Sequence, residues 1–243
     1  MISKDLISVN QPESLAAESY KMFRSNLKYM KVDTDKKVVM FTSSVSEEGK
    51  TTSISNIATS FALDGKKTLL VECDLRRARV HSVFGINQSP GISNMLSEKM
   101  SLKDAVHQIS EVPLLDVLTA GPLPPSPAEL LGSKALEEII YEARSHYDMI
   151  LIDAPPVLSV TDAIVLNRLV DGVVLVIAAN ETKKSTVHKA IAAFKKIEAN
   201  MLGILISKVD MKRNDYYDYY KKGYSYTHVK TKKSKQVIEY SDN

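Results

Sequence analysis

Short apolar runs rich in β-branched residues alternate along this chain with longer segments of helical periodicity. The apolar runs cover residues 38–42, 68–73, 114–118, 149–152, 173–178 and 202–206. Near-continuous apolar runs of this length are typical of strands buried on both faces, and helices between them favour parallel pairing through right-handed crossovers. The pattern therefore predicts an α/β fold with a doubly wound, mainly parallel sheet.

The chain of 243 residues suits one large domain with a substantial core. Helical patterns are predicted at residues 53–63, 133–145, 162–169 and 183–198, with an outlying amphipathic helix at about 13–30. We therefore expect an N-terminal helical segment at 1–35, a core at 36–210 and a flexible tail at 211–243.

Residues 44–52 have the features of a phosphate-binding loop, since an apolar run precedes them and a helical pattern follows. In such a loop, backbone N–H groups surround the β-phosphate, a lysine neutralises charge at the β/γ bridge and a hydroxyl ligates Mg²⁺. Lys50 and Thr51 supply the lysine and the hydroxyl, although Ser44 replaces the usual first glycine. The predicted nucleotide-binding residues here are Ser46, Glu47, Glu48, Gly49, Lys50, Thr51 and Thr52.

Acidic residues end two of the predicted strands. Asp153 follows an apolar run, as expected of a carboxylate that holds Mg²⁺ in a nucleotide site. Glu72 and Asp74 occupy alternate positions at the end of another run, so they are expected to share a face and converge on one site. The alternative is that both form a surface ion-pair ladder with Arg76.

The C-terminal tail is basic and rich in tyrosine. Residues 211–243 contain eight Lys and Arg against four Asp and Glu, whereas the whole chain has 32 against 29. A solvated, disordered end explains this charge better than nucleic-acid binding does. Six tyrosines lie within eleven residues that offer no aliphatic side chains, so their hydroxyls are expected to be exposed. They are Tyr216, Tyr217, Tyr219, Tyr220, Tyr224 and Tyr226.

Composition limits the remaining possibilities. The single cysteine, Cys73, excludes an intramolecular disulfide and favours a reducing cytoplasm. No apolar run reaches the roughly 18 residues that span a bilayer, and residues 1–10 lack the hydrophobic core of a signal peptide. We therefore expect any membrane attachment to come through a partner.

Several motifs resemble those of the bacterial tyrosine kinases. Glu72-x-Asp74-x-Arg76 resembles their extra Walker motif, and Asp153-Ala154-Pro155-Pro156 resembles their Walker B motif. The stretch 121–131 and the tyrosine-rich tail are also similar to segments of that family. Glu18-x-x-Lys21-x-x-Arg24 is similar to the family's E-x-x-R-x-x-R assembly motif. The loop reads Ser46-Glu47-Glu48-Gly49-Lys50 where the family usually has Pro-Gly-Glu-Gly-Lys.

The resemblance implies an ATP-dependent protein-tyrosine kinase with a P-loop fold like that of the partition and division-site ATPases. It implies that Lys50 and Thr51 bind ATP and Mg²⁺, and that Asp74 and Asp153 anchor the metal. By the same resemblance, Glu72 deprotonates the incoming tyrosine and Arg76 adds positive charge near the phosphates.

The resemblance also implies partners. Glu18, Lys21 and Arg24 would join subunits into a ring-like oligomer whose tails are phosphorylated in trans, together with other cytoplasmic proteins. In Gram-positive bacteria such a kinase is a separate cytoplasmic polypeptide at the inner face of the membrane. A membrane-embedded protein that governs capsule or exopolysaccharide chain length activates it.

Three alternatives stay open at this stage. Ser207-Lys208-Val209-Asp210 resembles the guanine-reading signature of GTPases, but related kinases bind ATP here, and a simple strand-end turn is a further possibility. A partition or division-site ATPase shares the fold, yet Val45 stands where those proteins have an extra lysine. The chain could also be a nucleotide-gated adaptor without enzymatic activity.

Overall fold

The computed structural model describes residues 2–29, 36–98 and 100–210. Within them, seven strands form one sheet in the order β3-β4-β2-β5-β1-β6-β7. The strands are Val38–Ser43 (β1), Thr68–Glu72 (β2), His107–Gln108 (β3), Leu115–Leu118 (β4), Met149–Asp153 (β5), Gly172–Ala178 (β6) and Met201–Ser207 (β7). All neighbouring strands pair in parallel except β3 with β4. The predicted α/β fold with a mainly parallel sheet is confirmed.

Ten α-helices connect or cover the strands within the described ranges. They are Ile7–Asn10 (α1), Leu15–Tyr29 (α2), Lys50–Leu63 (α3), Val80–Phe84 (α4), Ile92–Glu98 (α5), Leu102–Ala105 (α6), Pro127–Leu131 (α7), Lys134–His146 (α8), Asp162–Leu166 (α9) and Lys184–Lys195 (α10). The five helices predicted from periodicity all form, the one at 162–169 ending in a 3₁₀ turn, Asn167–Leu169. None of the helices in the described ranges is long and apolar enough to cross a membrane.

The sheet separates two apolar cores because successive side chains of a strand point to opposite faces. Along β1, Val38 and Met40 face a core formed with α8, α9 and α10, whereas Val39 and Phe41 face a core formed with α3 and α4. Helix α2 lies outside α3, and the rings of Phe23 and Phe41 are 5.9 Å apart.

The chain divides into two units, Met1–Lys208 and Val209–Asn243. The sheet and all the helices named above belong to the first unit. Of the second unit, the structure describes only Val209 and Asp210. The predicted tail at 211–243 lies outside the described residues, so its flexibility stays a prediction.

Candidate active site

The predicted phosphate-binding loop connects β1 to α3 at the carboxyl edge of the sheet. Gly49 precedes α3 with a φ of 76°, a left-handed conformation that glycine adopts without steric cost. A Cβ atom there would lie 3.1 Å from the hydroxyl oxygen of Ser207, which leaves little room for a side chain. Glu47 also has a left-handed φ, 67°, although it carries a side chain. The loop residues 46–52 line one cleft together with Asp74.

Glu48 belongs to the loop, and its buried side chain accepts hydrogen bonds from the backbone of other loop residues. Its carboxylate accepts the backbone N–H groups of Ser44 at 2.6 Å and Val45 at 3.0 Å. The Thr182 hydroxyl, which sequence reasoning missed, also donates to this carboxylate. The Ser207 hydroxyl donates to the backbone carbonyl of Glu48 at 2.5 Å. The side chains of Glu48 and Ser207, both predicted to bind nucleotide, therefore shape the loop in this structure.

Lys50 lies between the carboxylate of Asp153, at the end of β5, and that of Asp74, two residues beyond the end of β2. Its Nζ is 2.5 Å from Oδ1 of Asp153 and 3.6 Å from Oδ2 of Asp74. The Thr51 hydroxyl donates to Oδ2 of Asp153 at 2.8 Å. Asp153 is fully buried at the end of β5, and burial raises the pKa of Asp74 while the Lys50 charge opposes that shift. Four predicted site residues therefore meet in one place.

The oxygen atoms at this place suit Mg²⁺. Thr51, Asp74 and Asp153 offer a hydroxyl and two carboxylates, which are the hard donors that Mg²⁺ prefers. Among residues 2–29, 36–98 and 100–210, no group of three acidic, histidine or cysteine side chains is placed to hold a metal alone. This agrees with nucleotide sites, in which phosphates and water supply most of the ligands of Mg²⁺. The residues present therefore fit the metal.

Glu72, predicted to converge with Asp74 on one site, accepts hydrogen bonds from backbone N–H groups in this structure, and its role as the base stays a prediction. Glu72 is fully buried, and its Oε1 accepts the backbone N–H groups of Arg79 at 2.5 Å and Val80 at 2.7 Å. Its Oε2 accepts the N–H of Ala120 at 3.1 Å. Burial raises the pKa of Glu72 to about 7, although these three donors act in the opposite direction. Strand β2 ends at Glu72, so the alternation that predicted a shared face does not extend to Asp74.

Arg76 does not line the cleft, and its predicted place near the phosphates stays a prediction. Its Nε atom is 3.3 Å from Oδ2 of Asp162, the first residue of α9. Arg77 and Arg79 line the cleft instead. Sequence reasoning missed both, although two further arginines within three positions of Arg76 are a visible signal.

The predicted assembly residues on α2 have different surroundings. Lys21 and Glu18 pair with each other at 2.6 Å. Arg24 instead donates to the backbone carbonyl of Ser60 at 2.7 Å and pairs with Asp64 at 3.1 Å, both at the C-terminal end of α3. Glu18 and Arg24 are six residues apart, about 120° short of two full helical turns, so Arg24 is rotated away from Glu18 and faces inward. A role of these residues in assembly stays a prediction.

The remaining predicted residues lie at or beyond the end of the described chain. Asp210 is exposed and belongs to the second unit. The six tail tyrosines lie outside the described residues. Recognition of the base by Asp210 and phosphorylation of the tail therefore stay predictions.

Comparison with known proteins identifies relatives along nearly the whole chain. Residues 36–211 match a family model described as an AAA domain. The chain is 41% identical over 219 residues to the tyrosine-protein kinase YwqD of Bacillus subtilis (strain 168), which covers 90% of this chain and 92% of YwqD. It is 37% identical over 211 residues to the putative tyrosine-protein kinase CapB of Staphylococcus aureus, covering 87% and 92% of the two chains.

A solved structure supports the same relationship. The chimerical protein CapA2B2 is 32% identical, covers 84% of this chain and 91% of its own, and superposes with a TM-score of 0.80. Because the identity to YwqD extends over nine-tenths of both chains, this chain belongs to the bacterial tyrosine-protein kinases, of the Gram-positive type.

Proposed function

We propose that this chain transfers the γ-phosphate of ATP to tyrosine hydroxyls, both on its own tail and on other cytoplasmic proteins. One observation carries the proposal. Lys50, Thr51, Asp74 and Asp153 meet at one cleft, in a chain that is 41% identical to a named tyrosine-protein kinase.

The nucleotide would bind through the loop at 46–52. Its backbone N–H groups surround the β-phosphate, as in other glycine-turn loops that precede a helix. The Lys50 ammonium, which here pairs with Asp153 and Asp74, would bind the oxygens between the β- and γ-phosphates. We propose ATP rather than GTP because the Ser207 side chain, part of the guanine-like signature, bonds to the loop.

Magnesium would be held by the Thr51 hydroxyl and the Asp153 carboxylate, which already lie 2.8 Å apart. When bound, Mg²⁺ neutralises charge on the β- and γ-phosphate oxygens. This assignment leaves Asp74 as the carboxylate that faces the cleft without a proposed metal contact.

Asp74 would accept the proton of the incoming tyrosine. A bond forms between the tyrosine oxygen and the γ-phosphorus, while the bond from that phosphorus to the bridging oxygen breaks and ADP keeps the electron pair. The tyrosine proton passes to Asp74, whose pKa is raised by burial. A positioned carboxylate of this kind contributes about 10²- to 10⁴-fold to a rate.

The biological setting is proposed on the likeness to YwqD, CapB and the chimerical CapA2B2. We propose that the chain forms a ring-like homo-oligomer and is activated by a membrane-embedded protein. The chain would thereby lie at the inner face of the membrane and regulate capsule or exopolysaccharide synthesis and export.

The test is intact-mass measurement of the purified chain before and after incubation with MgATP, with peptide mapping of the products. We expect several phosphates on tyrosines of residues 211–243, and none with Lys50→Met. Release of inorganic phosphate without labelling would favour a partition-type ATPase, and neither product would favour an adaptor.

Single-turnover kinetics test the role of Asp74 separately. Asp74→Asn should slow tyrosine transfer about 100-fold or more while the Kd of MgATP stays within about threefold, as expected of a base. If the Kd of MgATP rises instead and transfer at saturation is normal, Asp74 anchors the metal and the base lies elsewhere.

A further inference from the structure

Two arginines without a role in the proposed mechanism line the nucleotide cleft. Arg77 and Arg79 lie between β2 and α4, and both side chains are exposed. Asp74 and Lys50 line the same cleft, so the arginine side chains border the place where the phosphates would bind.

The guanidinium groups of Arg77 and Arg79 differ from those of the other described arginines because they have no carboxylate partner in the described part of the chain. Of the six arginines among the described residues, four form ion pairs with carboxylates: Arg24, Arg76, Arg144 and Arg168. Within the same part of the chain, the Arg77 and Arg79 side chains make neither an ion pair nor a hydrogen bond. Both groups therefore remain available to a ligand in the cleft.

The backbone that carries these arginines is held in place from inside the protein. The Arg77 N–H donates to Oδ1 of Asp74 at 3.2 Å. The N–H groups of Arg79 and Val80 donate to the buried Glu72, which also accepts the N–H of Ala120. Glu72 thus ties the end of β2 to the start of α4 and to the segment after β4, and fixes where Arg79 leaves the backbone.

We infer that Arg77 and Arg79 bind the terminal phosphate of the nucleotide, and that Glu72 is the positioning residue that holds Arg79 at the cleft. This inference rests on the proposed function, since it assumes that the cleft binds a nucleoside triphosphate. It replaces a role as base for Glu72, which accepts three backbone N–H groups and, unlike Asp74, does not line the cleft.

The chemistry of arginine fits this position. A guanidinium presents paired N–H donors that match two oxygens of one phosphate, and its positive charge persists at any physiological pH. In phosphoryl transfer, negative charge spreads over the three outer oxygens of the γ-phosphate, where fixed donors stabilise it. Removal of one such donor costs about 10²- to 10³-fold in rate in comparable sites.

The first experiment compares MgATP with MgADP. Fluorescent-nucleotide titrations are made with wild type, Arg77→Ala, Arg79→Ala and the double variant. Arg168→Ala is the control, because Arg168 is also a surface arginine but pairs with Glu137 and does not line the cleft. We expect the double variant to raise the Kd of MgATP about tenfold more than the Kd of MgADP, and to slow tyrosine transfer about 100-fold or more. Arg168→Ala should change each value less than threefold.

The outcomes separate this inference from the proposed function. Equal changes in the Kd of MgATP and of MgADP, or no change in either, would overturn the inference about the arginines. Slower tyrosine transfer with an unchanged ratio of the MgATP and MgADP Kd values would also overturn it. That result would mean that the arginines bind acidic residues beside the acceptor tyrosines, such as Asp215 and Asp218. If wild type labels no tyrosine but the double variant loses affinity for MgATP alone, the inference stands and the kinase proposal fails.

The second experiment tests Glu72 through a double-mutant cycle. If Glu72 acts through the arginines, Glu72→Gln should slow tyrosine transfer when both arginines are present. In the Arg77→Ala, Arg79→Ala double variant, the same change should slow transfer by less than a further threefold. A base would instead give a loss that multiplies with that of the arginines. Thermal unfolding shows whether each variant is folded. If Glu72→Gln does not fold, Glu72→Asp, which keeps the charge, takes its place in the same cycle. A multiplied loss would overturn the positioning role.

Discussion

Glu47 has an unusual backbone conformation for a residue with a side chain. Its φ of 67° is left-handed, which costs a residue with a Cβ atom about 1–2 kcal/mol, while glycine avoids this cost. Because its side chain is exposed, Glu47→Gly should stabilise the protein by about 0.5–1 kcal/mol after the larger chain entropy of glycine is subtracted. Urea unfolding measures the change. Glu47→Ala removes the charge but keeps the strain, so equal midpoints for the two variants would contradict this explanation.

Lys50 couples stability to activity because it lies between buried carboxylates. Lys50→Met should abolish tyrosine labelling and destabilise the protein by about 3 kcal/mol or more, since Asp153 loses its cationic partner inside the protein. Thermal unfolding and an anti-phosphotyrosine blot measure the two effects. The double variant Lys50→Met, Asp153→Asn should recover part of the lost stability but should still not label tyrosine. Labelling of Lys50→Met at the wild-type rate would refute the site.

At the scale of elements, Arg24 attaches α2 to α3. Arg24→Ala should lower the free energy of unfolding by about 1.5–3 kcal/mol, because its hydrogen bond and ion pair at Ser60 and Asp64 are lost. Glu18→Ala, on the outer side of α2, should cost less than about 1 kcal/mol because its partner Lys21 is half exposed. Urea unfolding of both variants tests the difference.

Variants of the predicted assembly residues on α2 separate stability from assembly. If the outer side of α2 joins subunits, Glu18→Ala with Lys21→Ala should reduce the particle mass in light scattering without destabilising the chain. A loss of oligomers only on removal of Arg24 would instead indicate that assembly depends on the packing of α2 against α3.

At the scale of the whole molecule, we expect the tail to be phosphorylated by a neighbouring subunit. A full-length Lys50→Met chain is mixed with an active chain truncated after Met211, and labelling and particle mass are followed together. Each phosphate adds a charge of about −1.5 to −2, so three or four would reverse the positive charge of the tail and should loosen the oligomer. An unlabelled inactive chain, or a fully phosphorylated oligomer of unchanged mass, would refute this mechanism.

Much of the sheet follows from the sequence because burial on both faces demands continuous apolar runs. The run predicted at 38–42 becomes Val38–Ser43, and the run at 149–152 becomes Met149–Asp153. The phosphate-binding loop is also predictable from the sequence, because its glycine, lysine and hydroxyl-bearing residue are adjacent in the chain. In contrast, the short helices α4, α6 and α7 and the two-residue strand β3 carry too few residues to show a period, and they were not predicted.

The parallel α/β fold, the phosphate-binding loop and the carboxylate at the end of β5 follow from the amino-acid sequence, because each depends on neighbours along the chain. Which polar groups face the cleft depends instead on how the chain folds in three dimensions. Thr182 and Ser207 bond to Glu48 across 134 and 159 residues of chain, and Glu72 turns toward the N–H groups of Arg79 and Ala120. A buried carboxylate must find donors wherever the fold brings them, so its direction depends on distant segments that local patterns do not reveal.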